Sequence, residues 1–444
     1  MLIIFLLLAI AFIVISTAKF KLHPFLALII AAIGYGLCAG MPLADIVKSV
    51  NNGFGNTVGS IGIVIIAGCI IGTFLEESGG AYVMAGSIMR MVGEKRVPLV
   101  MLILGYFISI PVYADSGFVI LTPLNKALSK KAKITLASSA IGLSLGLTIT
   151  HCLVPPTPGP IAAADIMNAD LGLVILTGLV TSVFTVAAAW LFITQYASRT
   201  YIDPAPQETD DAIVEKVKKA PSALKSFIPV VVPLLLIVLK SISDFPTEPF
   251  GAGTFTTVIG FIGEPVIALL IGMTLSFTLP KKFDLEMLST SGWVGKSLFS
   301  AAIIIMITAA GGSFGMILRD SGIADVLGDT LAKADIGIWL PFLIAAALKT
   351  AQGSSTVSII TTASLVAPLM EVLGFVTPVQ IALAVTSLCS GAMVVSHAND
   401  SFFWVITQMS GMSVKQGYKL HTLGTLICGL TSMMAVWGLN AIFC

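Results

Sequence analysis

Apolar runs long enough to cross a bilayer recur along this whole sequence, and they constrain its fold more than any motif in it. The hydrocarbon core of a bilayer is about 30 Å thick and takes about 20 helical residues to cross. Reading the runs between polar breaks predicts spans near 1–18, 24–42, 57–76, 134–150, 171–197, 226–242, 254–279, 297–318, 379–396 and 419–443. These runs far exceed the roughly 10 residues of a membrane β-strand, so an all-α polytopic membrane protein is expected. The scarcity of charge agrees: Asp, Glu, Lys and Arg make up 11% of the residues, against about 25% in soluble domains. Such a chain is neither a soluble enzyme nor disordered, and its net charge of +1 offers no basic surface for nucleic acid.

The first run, Leu2 to Thr17, is followed by Lys19 and Lys21 rather than preceded by charge, which reads as a permanent span and not a cleaved signal. Cys38, Cys69, Cys152, Cys389, Cys428 and Cys444 show no paired short spacing and read as small membrane hydrophobes. Two further apolar stretches, 97–128 and 336–373, are interrupted in the middle by small polar residues. Their tips are Tyr113-Ala-Asp-Ser-Gly117 and Gln352-Gly-Ser-Ser-Thr356, and both stretches are predicted to be re-entrant hairpins. With the N- and C-termini outside, this arrangement puts on the inner side every Lys and Arg except Lys48, Lys240, Arg319, Lys333 and Lys349.

The chain also resembles itself. Gly72-Thr-Phe-Leu-Glu-Glu-Ser-Gly-Gly-Ala81 parallels Gly315-Met-Ile-Leu-Arg-Asp-Ser-Gly-Ile-Ala324, and Ser144 to His151 parallels Ser390 to His397. Each half reads as three spans, a surface amphipathic helix (79–92 and 322–334), a hairpin, a broken span and a closing span. Because the third span runs inward in one half and outward in the other, an inverted-topology repeat is expected, with about ten full spans, two re-entrant hairpins and two broken helices. The first repeat covers 1–197 and the second 226–444, joined by a cytoplasmic linker at 198–225 that carries Pro204 and Pro206.

Non-helical backbone at membrane depth is tolerated only inside protein or beside a watery cavity, and inverted repeats assemble their sites from such breaks. Four breaks are predicted. The first tip carries Tyr113, Asp115, Ser116 and Gly117; desolvation disfavours a charged carboxylate, so Asp115 is a candidate proton carrier. The second lies at Thr150-His151-Cys-Leu-Val-Pro-Pro-Thr157-Pro-Gly159-Pro160, where the prolines forbid helix. A half-helix starting near Pro160 is expected to aim its N–H groups at a carboxylate, beside His151. The third is the tip of Gly353, Ser354, Ser355 and Thr356, whose hydroxyls and backbone suit a hydroxylated anion or Na⁺; nearby Lys349 either counters substrate charge or snorkels to the surface. The fourth is Ser396-His397-Ala-Asn399-Asp400-Ser401, whose polar side chains would cost roughly 1–3 kcal/mol each if buried without partners.

Phe402, Phe403 and Trp404 read as packing or interface belt, and His23 and His421, at span ends, as facing the interface. No phosphate-binding loop, zinc spacing or nucleophile–base pair is visible. No cofactor, no metal and no enzymatic activity are expected, and an ion gradient is the default energy source.

These residues carry a resemblance to the gluconate permease family, gluconate–proton symporters of the ion transporter superfamily. The match rests on His151-Cys-Leu-Val-Pro-Pro-Thr-Pro-Gly-Pro160, Gly353-Ser-Ser-Thr-Val357 with Ala367-Pro368, Ser396-His-Ala-Asn-Asp-Ser-Phe-Phe-Trp404, and the opening Lys19-Phe-Lys-Leu-His-Pro-Phe-Leu26. The resemblance implies proton symport of gluconate or another small hydroxylated carboxylate through the bacterial inner (plasma) membrane, D-serine and D-glycerate-type substrates and sodium coupling standing as alternatives. Substrate would be bound by Tyr113, Ser116, Gly117, His151, Thr157, Gly159, Gly353, Ser354, Ser355, Thr356, His397 and Asn399, with Asp115 and Asp400 coupling the proton. The superfamily implies a homodimer moving by an elevator mechanism, with scaffold parts 1–96 and 226–335 and transport parts 97–197 and 336–444. Two departures stand out: the family's first tip usually carries Glu followed by Val-Gly, here Asp115-Ser116-Gly117, and many members have His where this chain has Thr157.

Overall fold

A computed structural model describes residues 1–443 apart from 93–95, 111–112, 205–219, 244–249, 252, 324–335 and 398–399, and the described residues form helices and no strands. The first half contains α1 (Leu2–Ala18), α2 (Pro24–Cys38), α3 (Leu43–Glu77), α4 (Gly80–Val92), α5 (Val97–Ile108), α6 (Ala114–Lys131), α7 (Leu136–Leu153), α8 (Pro158–Ile166) and α9 (Leu171–Gln195). The second contains α10 (Ala223–Ser243), α11 (Thr254–Ile262), α12 (Pro265–Ser276), α13 (Trp293–Asp320), α14 (Trp339–Gln352), α15 (Ser355–Val366), α16 (Pro378–Gly391) and α17 (Ser401–Ser410). The last helix, α18 (Val414–Phe443), includes a π-helical turn at Tyr418–Thr422.

Local chemistry sets several helix starts. His23 caps α2 ahead of Pro24, the Asp170 carboxylate accepts from Leu173 N–H at 2.7 Å to start α9, and Thr377 with Gln380 forms a capping box on α16.

Among the described residues five helical runs are long and apolar enough to cross a membrane, and seven if each of two bent pairs counts as one span. Two predicted spans differ in detail. The third, predicted at 57–76, is the later part of a helix that begins at Leu43 and bends by 44° between Ser60 and Gly62, with Asp45, Lys48, Asn51 and Asn52 making its first turns polar. The span predicted at 254–279 bends by 69° where Gly263 and Pro265 interrupt α11 and α12. The amphipathic segment at 79–92 is α4, whereas the one at 322–334 lies almost wholly outside the described residues.

The four predicted breaks are present. One hairpin, α5–α6, is joined through 109–113, of which 111–112 lie outside the described residues; the other, α14–α15, turns at Gly353, which adopts the left-handed conformation (φ 90°) and ends α14. The broken runs are α7–α8, parted at 154–157 with a cis bond between Pro155 and Pro156, and α16–α17, between which 392–397 and Asp400 are described and non-helical. The α7–α8 run forms the centre of the molecule: 94% of its most apolar stretch is buried, against 44% for α9. It can sit there because α5 crosses α7 backbone to backbone. A Cβ at Gly142 would lie 2.6 Å from the Pro98 carbonyl oxygen, and one at Gly146 would clash with the Leu102 carbonyl oxygen.

α3 packs most extensively on α13, through Gly53 against Gly312 and a hydrogen bond from Ser313 Oγ to the Val50 carbonyl (2.9 Å). The hairpins interlock across the halves, with α6 on α17 and α15 on α8. The first internal match also recurs in three dimensions. Both α3 and α13 end on a Ser whose hydroxyl bonds back to the third residue before it, followed by a left-handed glycine, Gly79 (φ 79°) or Gly322 (φ 72°). The second match diverges: His151 lies inside α7, whereas His397 lies in non-helical chain beyond α16.

Candidate functional site

A cavity of about 340 Å³ lies where three of the four breaks meet, against the last turns of α7, within the roughly 300–1,000 Å³ typical of small-molecule sites. Its wall takes Tyr113 and Asp115 from the first tip, Thr148 and His151 from α7, Lys349 and Gly353 to Thr356 from the second hairpin, and Met393, Ser396, Asp400, Ser401 and Phe402 from the second broken run.

Three helices, α6, α15 and α17, begin on this wall, so their first N–H groups carry partial positive charge at its edge. Ser354 Oγ caps α15 by accepting from Val357 N–H (3.3 Å), and Asp400 caps α17 by accepting from Phe402 N–H (3.0 Å). The other Asp400 oxygen pairs with Lys349 Nζ at 2.6 Å and accepts from Ser396 Oγ at 2.5 Å. Lys349 is 2% exposed, and its ammonium also donates to the Gly353 carbonyl. It neither snorkels nor stands alone; it brings the buried charge of Asp400 close to neutral.

Asp115 sits in the first turn of α6 with its carboxylate exposed to the cavity, and among the described residues it has no hydrogen-bond partner. Tyr113 beside it contacts Cys69 Sγ of α3 through its hydroxyl (2.9 Å). Every residue of α7 is buried except His151, which with Thr148 faces the cavity. Its Nε2 lies 3.5 Å from Thr356 Oγ1, joining the two halves, and its Nδ1 is buried without a partner among the described residues.

Several predicted site residues lie elsewhere. Thr157 is buried with its hydroxyl donated to the Val154 carbonyl (2.8 Å), and it lines an adjoining space of about 20 Å³ with Ser109 and Pro158, which Tyr113 and His151 also border. The half-helix after the prolines begins at Pro158, not Pro160; it faces that smaller space, and the two prolines remove N–H groups from its first turn. Gly159 and Gly117 are packing positions, where a Cβ would meet Ile359 at 2.9 Å and Leu147 at 2.8 Å. His397 bonds the Thr350 carbonyl (2.8 Å) and stacks on Tyr418, away from the cavity wall. Asn399 and the side chain of Ser116 lie outside what is described.

His421 does not face an interface. It is fully buried in the π-helical turn of α18, bridging Ser144 Oγ (3.3 Å) and Ser396 Oγ (3.1 Å). The aromatic trio divides: Phe402 lines the cavity, Phe403 packs in the interior and Trp404 is partly exposed. Among the described residues no cluster of His, Cys, Asp or Glu could hold a metal ion.

Apolar helices wrapped around a polar cavity built from broken segments define a multi-pass membrane transporter. The chain belongs to the GntP permease family, whose sequence model matches residues 1–442. It is 34% identical to a gluconate permease of Pseudomonas aeruginosa over 435 residues, covering 95% of this chain and 94% of that one. It is 31% identical to the D-serine transporter DsdX of Escherichia coli, covering 98% of both chains. In fold it is similar to the YdaH transporter of Alcanivorax borkumensis, with TM-score 0.62 and 14% identity over 95% of this chain and 99% of that chain. The family and these relatives are permeases and transporters rather than enzymes.

Proposed function

We propose that this protein imports gluconate or a similarly small hydroxylated carboxylate together with a proton, across the bacterial inner membrane. The observation that carries the reading is the cavity itself: three helix N-termini and Lys349 supply positive potential, and Ser354, Ser355, Thr356 and Thr148 supply hydroxyls for a polyhydroxy chain. Asp115, facing the cavity without a partner among the described residues, takes and releases the coupled proton; Asp400 sets the charge of the binding wall through its pair with Lys349. The gluconate permease relative supports a sugar acid, and the D-serine transporter marks the alternative of a small hydroxylated amino acid.

The moving unit in this reading is 97–197 with 336–444, which holds the cavity, and the fixed unit is 1–96 with 226–335, in which α3 packs on α13. The halves are inverted repeats, 198–225 is a cytoplasmic linker, both termini lie outside, and two copies form the working dimer. The matching ends of α3 and α13 and the reciprocal interlocking of the hairpins support the repeat.

Uptake of labelled gluconate into proteoliposomes, with and without an inward proton gradient, tests the function. Accumulation driven by the gradient is expected, and lost in Asp115→Asn while substrate exchange persists. Gradient-independent uptake, or accumulation only with inward Na⁺, would refute proton coupling. A panel of sugar acids, hydroxy acids and D-amino acids in the same assay identifies the substrate.

A further inference from the structure

We infer that His421, buried behind the cavity, is a second resting place for the coupled proton, exchanging it with Asp400 through Ser396. This inference rests on the proton-coupled reading above and adds to it a residue outside the cavity wall. The distances define one chain: Ser144 Oγ to His421 Nδ1 at 3.3 Å, His421 Nε2 to Ser396 Oγ at 3.1 Å, Ser396 Oγ to Asp400 Oδ2 at 2.5 Å, and Lys349 Nζ to that same oxygen at 2.6 Å. The chain is held from both sides. Ser396 N–H donates to Thr425 Oγ1 (3.1 Å) and its carbonyl accepts from Thr422 Oγ1 (2.5 Å), which fastens the second break to the π-helical turn carrying His421. π-helical turns occur disproportionately at functional sites.

Each serine has one hydroxyl proton, and counting them shows what the chain can do. Without the coupled proton, Ser144 donates to Nδ1, Nε2–H donates to Ser396, and Ser396 donates to the Asp400 carboxylate. One proton added from the cavity can then rest on the imidazole, so that Nδ1–H donates to Ser144 and Ser144 donates to the Ile141 carbonyl 3.1 Å away. It can equally rest on Asp400, which donates to Ser396, while Ser396 donates to Nε2 and Nδ1–H donates to Ser144. In all three arrangements every hydrogen of the chain has an acceptor, so moving the proton strands no buried polar group, a step that would otherwise cost roughly 1–3 kcal/mol. No bond other than those to the moving protons is made or broken.

The consequence for transport lies with Lys349. Unloaded, its charge is matched by Asp400; loaded, the chain and Lys349 together carry one net positive charge beside the cavity. A substrate carboxylate is therefore drawn in when the proton is present and released more readily when it is absent. The other titratable groups facing this chain are Asp115 of α6 and His151 and Cys152 of α7; on the turn itself, Lys419 lies over the Tyr196 ring, away from it.

The test is gluconate binding to the purified full chain by calorimetry across a pH series, in buffers of differing ionisation enthalpy. The wild type is expected to take up one proton per gluconate, with affinity changing roughly tenfold per pH unit. In His421→Gln, whose amide hydrogen-bonds but holds no proton, the proton is left to Asp400 and Asp115 alone, so gluconate should still bind but the pH above which its affinity falls should move lower than in the wild type. A His421→Gln protein in which that pH does not move overturns the inference. If that variant does not fold, Ser396→Ala cuts the same link, and an unmoved pH there overturns it equally. A wild type that binds no acid, or binds with no linked proton, instead refutes the functional reading, whatever the variants do.

Discussion

A lysine ammonium 2% exposed in a membrane protein persists only with partners, and Lys349 has two, the Asp400 carboxylate and the Gly353 carbonyl. Removing one member of such a pair leaves an uncompensated buried charge, which costs roughly 3–5 kcal/mol. Lys349→Ala should therefore lose about that much in unfolding experiments in micelles, and Lys349→Ala with Asp400→Ala should lose less than the single change. A single variant within 1 kcal/mol of wild type, on the scale of an exposed pair, would mean the pair is solvated. Gly353 sits beside them at φ 90°, so Gly353→Ala should cost about 1–2 kcal/mol and shift the carbonyl that Lys349 uses. Substrate affinity should fall in the same variant, measurable by direct binding. The sequence shows these residue types but not their direction. Lys349 lies one helical turn before the tip, where snorkelling and inward pairing are equally compatible with the pattern. His421 follows Lys419 at the start of an apolar run, which reads as an interface; only the extra residue of the π-helical turn, with no sequence signature of its own, turns it inward.

At the scale of elements, legibility follows backbone chemistry. Both hairpin tips and both broken runs could be read because proline, glycine and clustered hydroxyls interrupt apolar runs at membrane depth, and little else explains them there. The full length of α3 escaped hydropathy because helix and membrane span are different properties, and its first turns are helical yet polar. α8 begins two residues before Pro160, and the direction of its N-terminus depends on how Pro155 and Pro156 turn the chain, which composition does not encode. Close packing of α5 on α7 could be suspected from Gly142 and Gly146 four residues apart, with α5 supplying Gly105. Gly146→Val should force those backbones apart and destabilise the protein by roughly 1–3 kcal/mol, with Tm as the readout. Gly86 of α4, where an added Cβ would meet nothing within 4 Å, is the control: Gly86→Val should leave Tm nearly unchanged.

At the scale of the whole molecule, the partners across the halves were not legible from one sequence, because a repeat fixes the order of elements and not which hairpin meets which broken run. The structure pairs α15 with α8 and α6 with α17, and both halves supply the wall of one cavity. If the cavity-bearing unit slides against the α3–α13 unit during transport, then α13 and α15 must separate or shift in each cycle. These helices touch at Gly315 and Ser364, where a Cβ on Gly315 would lie 3.6 Å from that of Ser364, inside the roughly 3.5–4.5 Å range of disulfides. Gly315→Cys with Ser364→Cys should therefore cross-link under oxidation and stop gluconate uptake, with activity returning on reduction. Each single variant should transport in both conditions in a background with the exposed Cys38 replaced by Ser, since Cys69, Cys152, Cys389 and Cys428 are buried and unpaired. Binding should survive in the cross-linked protein, because its side chains do not line the cavity. A fully cross-linked protein that transports at the uncross-linked rate would show that α13 and α15 stay together, and the moving boundary would then have to lie elsewhere in the chain.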